Sequence, residues 1–386
     1  MPDAIAALHT APAQHVDPPP TNRTGAPRLA GLDVTRALAL VGVVIMNYHG
    51  FLNVPNARTN RSLAERIFDP AHGPLSTRFA AAFVLVAGMG VTLMTNRSRL
   101  SHDAAAIRED RWRLARRGLL LYACGLLLEW IWPGTILFYY GALFMVAALL
   151  FTLRLRWLAA IGLASAVAGA AIAWFSFEHT NTGHNVSWLD PKVTSPRNLL
   201  LRTFTGYTHP LFPWLGIFCV GIALARLFPM TAQLQRRVIA VGAALLAGTY
   251  LISHFGMRAA SGAGSARWAV LLSTGPFDRG LLYTFGTIGS SLVAFCVISW
   301  VADRHPTAWL TRMLQHAGQM TLTIYVCHAL VFNAVVHWWH WVTPTGLDTA
   351  LVFSLTFWIF AIGLGALWHR FLGTGPLERV YRNFGG

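Results

Sequence analysis

The stretch from Arg78 to Ile131 reads RFAAAFVLVAGMGVTLMTNRSRLSHDAAAIREDRWRLARRGLLLYACGLLLEWI. Two apolar runs flank a segment that holds seven arginines: Arg97, Arg99, Arg108, Arg111, Arg113, Arg116 and Arg117. An apolar run of roughly 20 residues has the length of a helix that crosses a bilayer. Cations are retained on the cytoplasmic side of such crossings. The stretch therefore reads as two spans, Arg78 to Thr95 and Leu114 to Ile131, joined in the cytoplasm. Within the joint, Ala104 to Arg117 resembles a short basic amphipathic helix.

The same alternation extends in both directions. Before this stretch lies a span from Val34 to Leu52. After it come Ile136 to Leu153, Trp157 to Phe175, Pro210 to Leu227, Val238 to Met257, Gly280 to Val301, Met320 to Trp341 and Leu347 to Trp368. The result is an all-α, polytopic helical bundle of about ten spans. Backbone groups in lipid need internal partners, so helices are the expected element. If the loops are assigned alternately to two sides, one side collects 20 of the 30 Lys and Arg, counting Arg36, Arg116, Arg117 and Arg226 just inside the ends of spans. That side holds both termini and is read as the cytoplasm.

Composition agrees. The 386 residues are 55% hydrophobic and 12% charged, about half the charged fraction of a soluble chain. The net charge of +15 suits topology and anchoring to anionic headgroups. Nucleic-acid binding is not expected, because the arginines border spans instead of covering a soluble face. Cys124, Cys219, Cys296 and Cys327 fall inside apolar runs without metal or disulfide spacing, and read as small core residues. Met1 to Pro27, with Pro18, Pro19 and Pro20 in a row, reads as a disordered cytoplasmic tail. Residues 28–386 form the transmembrane domain.

Two outer loops are long enough to build a site, Asn53 to Thr77 and Glu178 to His209. The first carries His72; the second carries His179, His184 and His209. In the first span, Asp33 and Arg36 stand three residues apart at the inner mouth. Asn47 lies on the same face as Asp33, about 21 Å further on, and His49 follows it. In the ninth span Thr321, Tyr325 and His328 share one helical face. An ionisable group at that depth is costly and faces the bundle interior. Imidazole titrates near neutrality and can take a proton from a hydroxyl or amine. Each group also has a structural use: an Asp33–Arg36 pair, a hydrogen-bonding Asn47, an interhelical node at His328. His337 and His340 sit in a Trp-rich belt and read as interfacial anchors. No phosphate-binding glycine loop, dinucleotide fingerprint, zinc signature or nucleophile-elbow serine is present.

Several strings carry a resemblance. They are Arg28-Leu-Ala-Gly-Leu-Asp-Val-Thr-Arg36 leading to Asn47, Ile136-Leu-Phe-Tyr-Tyr-Gly-Ala-Leu-Phe144, Pro210-Leu-Phe-Pro-Trp-Leu-Gly-Ile-Phe218, Ala317-Gly-Gln-Met-Thr-Leu-Thr-Ile-Tyr325 with His328, and Gly375-Pro-Leu-Glu-Arg-Val-Tyr-Arg382. Together they resemble the YeiB-like family of bacterial membrane proteins, whose function is unknown. That family is related to transmembrane acyltransferases that include heparan-alpha-glucosaminide N-acetyltransferase and the type-three membrane acyltransferases.

The resemblance implies an inner-membrane enzyme that moves an acyl group, acetyl above all, from cytoplasmic acyl-CoA to an extracytoplasmic sugar or lipid-linked sugar. It implies no metal. Asn47 matches an asparagine that, in the heparan-type enzymes, precedes a histidine base in the next outer loop. His72, His49 and His328 are the histidines available here. Ala37 stands where that pattern has glycine. Arg111, Arg113, Arg116 and Arg117 would hold coenzyme A phosphates, since arginine forks match phosphate oxygens. Arg36 and Tyr140 join them as donor-binding candidates. The alternative is a transporter or exporter of a small polar or lipid-linked molecule. Gly363 and Gly365 offer a small-residue face for pairing with a second copy.

Overall fold

A computed structural model describes residues 29–52, 62–192, 195–206, 208–260, 265–343 and 345–386. The expected tail, Met1 to Pro27, lies outside the described residues, as does the start of the first outer loop, residues 53–61. Fifteen α-helices follow in order. The first five are α1 (Ala30–Leu52), α2 (Leu63–Ile67), α3 (Arg78–Ser101), α4 (Ala104–Glu129) and α5 (Leu137–Leu150). Next come α6 (Leu155–Asn181), α7 (Pro196–Thr205), α8 (Leu211–Ala225), α9 (Ala232–Ala259) and α10 (Ser265–Leu272). The last are α11 (Leu281–Arg304), α12 (Trp309–Gly318), α13 (Thr321–Phe332), α14 (Leu347–Leu372) and α15 (Pro376–Gly385). No strand occurs among the described residues.

Among the described residues, seven helices are long and apolar enough to cross a membrane: α1, α3, α6, α9, α11, α14 and the segment Thr321–Trp338, which joins α13 to a π-helical turn. The chain is a multi-pass membrane protein. The other three expected spans fall on α4, α5 and α8. The last two are apolar but only 14 and 15 residues long. The basic segment at Ala104 to Arg117 is no separate amphipathic helix. Asp103 caps it by accepting from the Ala105 amide at 2.9 Å, and no proline interrupts it. It therefore runs on into the apolar stretch as the single 26-residue helix α4.

α1 is the hub and packs against α3, α11, α12, α13 and α14. α4 pairs with α5, α3 and α6 with α8, and α9 with α11. The α4–α5 pair is close because Gly118 and Gly125 face Gly141 and Phe138. Large aromatic side chains, among them Tyr48, Phe138, Phe218, Phe295 and Phe332, are fully buried at the centre. Only 11% of the apolar window of α9 and 28% of that of α14 is buried. Leu251, Ile252 and Phe255 on α9 and Val352, Ile359 and Phe360 on α14 face outward. A bilayer carries no hydrophobic penalty for such surfaces.

The same reasoning corrects the cysteines. Cys219 and Cys296 are buried, but Cys124 and Cys327 are exposed, on outward faces of α4 and α13. An apolar run in a membrane has a lipid side as well as a core side.

Candidate functional site

α1, α3, the turn between α4 and α5, the segment before α8, and α13 converge on a cavity of about 300 Å³. Its polar lining includes Asn47, Ser76, Thr77, Thr208, His209 and Tyr325. These lie at helix ends that the arginine count assigns to the outer face. Apolar Phe51, Phe79 and Pro133 complete much of the wall.

At its edge, Asn47 Nδ2 lies 3.1 Å from His328 Nε2. His328 Nδ1 bonds the carbonyl of Tyr325. A carbonyl only accepts, so Nδ1 carries the proton and Nε2 presents its lone pair to the Asn47 amide. The backbone of His328 is held as well, since the Tyr48 hydroxyl donates to its carbonyl at 3.0 Å. The ring is fully buried and lies edge-on to Trp132 at 5.1 Å. Tyr325, one turn earlier, bonds Thr135 Oγ1 at 3.0 Å and accepts from the Ile136 amide at 3.1 Å. The expected polar face of α13 is therefore where Tyr325 and His328 meet α1 and the α4–α5 turn.

That turn is fixed by a carboxylate. Glu129 accepts from the amides of Gly134 at 3.0 Å and Thr135 at 3.1 Å, and it pairs with Arg202 of α7. The N-terminus of α13 is fixed similarly: Glu378 of α15 accepts from the amides of Leu322 at 2.7 Å and Thr323 at 3.1 Å.

The histidines expected on the outer face divide. His49 is buried and its Nδ1 donates to the Phe68 carbonyl at 2.6 Å, which ties the loop after α2 to α1. His72 is exposed, with its ring 3.9 Å from the Asp69 carboxylate. Neither lines the cavity with Asn47. His209 does. Its Nδ1 is shielded and has no hydrogen-bond partner among the described residues. Burial, with Arg279 adding positive charge nearby, pushes its imidazole down to about 3. His209, named from the sequence only as one of three histidines in an outer loop, thus lines the cavity, and Glu129, Thr135 and Arg202, which the sequence did not single out, adjoin it. The available signals were an acid at the end of an apolar run and the Trp132-Pro133-Gly134 turn beyond it.

On the opposite face, Asp33 lies 3.6 Å from Arg36 and accepts from Gln319 at 3.2 Å. Arg36 is in electrostatic reach of Tyr140 and of Tyr381. Tyr140 is in turn near Tyr325, and its hydroxyl is buried without a hydrogen-bond partner. Arg117 sits over the Tyr381 ring at 5.1 Å. Arg113 bonds Asp110 at 2.6 Å, Glu109 at 2.9 Å and the Gly386 carbonyl at 2.9 Å. Arg116 bonds the Gly385 carbonyl at 3.2 Å, while Arg111 is exposed. A polar series thus runs from Arg117 and Tyr381 through Arg36 and Tyr140 to Tyr325, His328 and Asn47.

No group of three or more His, Cys, Asp or Glu is placed to hold a metal among the described residues. In the belt after α13, Trp338, Trp339 and Trp341 are strongly exposed.

The described residues form a helical membrane bundle in which an imidazole and an amide are paired next to a cavity at one end, while arginines gather at the other. The family described as heparan-alpha-glucosaminide N-acetyltransferase, catalytic, matches residues 28–273, and the chain belongs to that family. A second family, described as a protein of unknown function (DUF418), matches residues 225–385. No curated protein matches the chain. Asn47 lies in the first matched region, and Tyr325 and His328 lie in the second.

Proposed function

We propose that the protein is a membrane acyltransferase that moves an acyl group, acetyl above all, from cytoplasmic acyl-CoA to a sugar or lipid-linked sugar on the far side of a bacterial inner membrane. The single observation that carries this is the Asn47–His328 pair at the cavity edge, joined by buried polar groups to the arginine-rich face. Family membership supports the acetyl donor. In this account α4, α5 and α8 complete ten spans and both termini are cytoplasmic.

Among the histidines, His328 takes the role of base, because its tautomer is set and its Nε2 contacts Asn47, which lines the cavity, whereas His49 holds a loop and His72 faces solvent. The acceptor hydroxyl or amine gives its proton to His328 Nε2 as its oxygen or nitrogen bonds the thioester carbon. The C–S bond then breaks, and the coenzyme A sulfur leaves with the proton that His328 returns. The Asn47 amide turns from His328 to the thioester oxygen, where a fixed donor lowers the barrier as charge develops. Arg36 and Tyr140 line the donor's path. Arg117, Arg116, Arg113 and the exposed Arg111 offer cations to its phosphates. In the present arrangement Arg113 and Arg116 spend donors on the Gly386 and Gly385 carbonyls, so donor binding displaces the end of α15.

The test is transfer of labelled acetyl from acetyl-CoA to sugar acceptors by the purified protein, with acetyl-CoA binding measured separately. Binding and transfer that both fall away in Arg116→Ala/Arg117→Ala support the account. Absence of any acetyl-CoA binding overturns it.

A further inference from the structure

A second and larger cavity, about 850 Å³, lies beside the first. It is bounded by α6, α7, α9 and α10 and by the segment that leads into α11. Its volume is that of a site for a drug-sized ligand. The lining is two-ended. Ile172 and Phe177 of α6, Met257 of α9 and Val270 of α10 give an apolar wall, while Asp190, Ser273, Asp278 and Arg279 give a polar end.

The two cavities touch. Phe277 lines both. Thr205 and Arg279 line the second, and Thr208 and His209 line the first. Arg279 donates to the Thr205 carbonyl at 2.5 Å and is in electrostatic reach of His209. The partition is thus one aromatic ring and a short polar seam. On the outer side, α9 and α10 expose Ile252, Phe255, Trp268 and Leu271. These are surfaces suited to lipid, on the same helices that give the cavity its apolar wall.

We propose that this second cavity is the binding site of the acceptor, and that the acceptor is an amphiphile: an acyl tail against α6, α9 and α10, and a neutral, hydroxyl-rich head at Asp190 and Asp278. What happens to that head rests on the acyl-transfer function proposed above; its binding does not. The tail is assigned from the wall, since a soluble sugar would leave that apolar surface wetted. The head is assigned from charge. The two carboxylates can accept from further hydroxyls besides that of Ser273, which Asp278 already takes, and they disfavour a phosphate at this end, where Arg279 is held on the Thr205 carbonyl. Past Phe277, the head would reach Thr208, His209 and the Asn47–His328 pair.

The experiment uses the full-length protein in lipid nanodiscs without any acyl donor. The probe is an alkyl glucoside carrying a photoreactive diazirine in its tail. Tail-matched phosphocholine and alkyl phosphate probes, and a glucoside without the tail, serve as the other arms. Labelled peptides are mapped by mass spectrometry. The expected result is labelling within residues 172–177 and 266–272, several-fold stronger for the tailed glucoside than for the other probes and strongly reduced in Val270→Trp. Asp278→Lys, which leaves the apolar wall alone, should reverse the preference towards the alkyl phosphate. Labelling spread evenly over α9 and α14, equal labelling by all headgroups, or labelling unchanged in both variants would overturn the proposal. Labelling without acetyl transfer in a separate assay would overturn the enzyme function and keep this site. Transfer to a glycolipid with no labelling here would overturn this site alone.

Discussion

His328 and Asn47 are 281 positions apart and meet at 3.1 Å beside a cavity. His328→Ala should lower acetyl transfer by about 10²–10⁴-fold, the usual worth of a positioned acid–base group, while acetyl-CoA binding stays near that of the unaltered protein. Asn47→Ala should cost about 10²–10³-fold, as the loss of one donor to developing charge does. His49→Ala removes the bond to the Phe68 carbonyl and should cost about 1 kcal/mol of stability, read as a lower midpoint in thermal unfolding. His72→Ala, on an exposed ring, should leave both transfer and stability unchanged. His209 gives a pH signature. Its folded-state imidazole lies near 3, against the usual 6.5, so the unfolded chain binds the proton more readily between those values. Its contribution to stability is complete above about 6.5 and is lost as the pH falls towards 3. The unfolding midpoint of the unaltered protein should drop on acidification through this window, and that of His209→Gln should drop less. Asn47 and His328 could be read in the sequence because polar groups stand out in apolar helices. Their pairing could not, since depth along two distant helices does not fix which faces turn together. His209 was hidden among loop histidines because only the fold reveals which of them closes a cavity.

Helix packing sets the turn that carries Thr135. A Cβ at Gly141 would come within 2.6 Å of the Gly118 carbonyl and meet the Tyr122 backbone as well, so neither partner can yield without moving α4. Gly141→Ala should destabilise by about 1–3 kcal/mol, the typical cost of overpacking, and should lower transfer by displacing Thr135 and hence Tyr325. Thermal unfolding and transfer measured on one sample check both effects. At this scale the sequence was most legible where apolar runs are long: α1, α3, α6, α9, α11 and α14 were each expected near where they lie. It was less so where helices merge or are short. Nothing in Ala104 to Arg117 marks where the basic helix should stop, and it does not stop. The 14 residues of α5 rise about 21 Å, less than the roughly 30 Å of a hydrocarbon core, so hydropathy alone does not define its crossing. The string Gly375 to Arg382 was picked out by resemblance, but the hold of Glu378 on the start of α13 was not, because that contact joins two segments more than 50 positions apart.

The proposed enzyme is asymmetric across the membrane: 20 of the 30 Lys and Arg fall on the side expected to be cytoplasmic, and the cavity with Asn47 is expected to open on the other. The family was legible in the sequence, while the two sides are an expectation of the arginine pattern. The second cavity and its shared Phe277 wall were not legible, since they arise where at least five separate segments meet. Two-sided access is what distinguishes the proposed enzyme from one that binds both substrates from the same compartment. The most direct measurement is made in sealed proteoliposomes of uniform orientation, with labelled acetyl-CoA supplied only to the arginine-rich face and a glycoside acceptor only to the other. The account predicts labelled acetyl on the acceptor across the bilayer, abolished by His328→Ala. Transfer that requires donor and acceptor on one side, or that persists undiminished in His328→Ala, would contradict it.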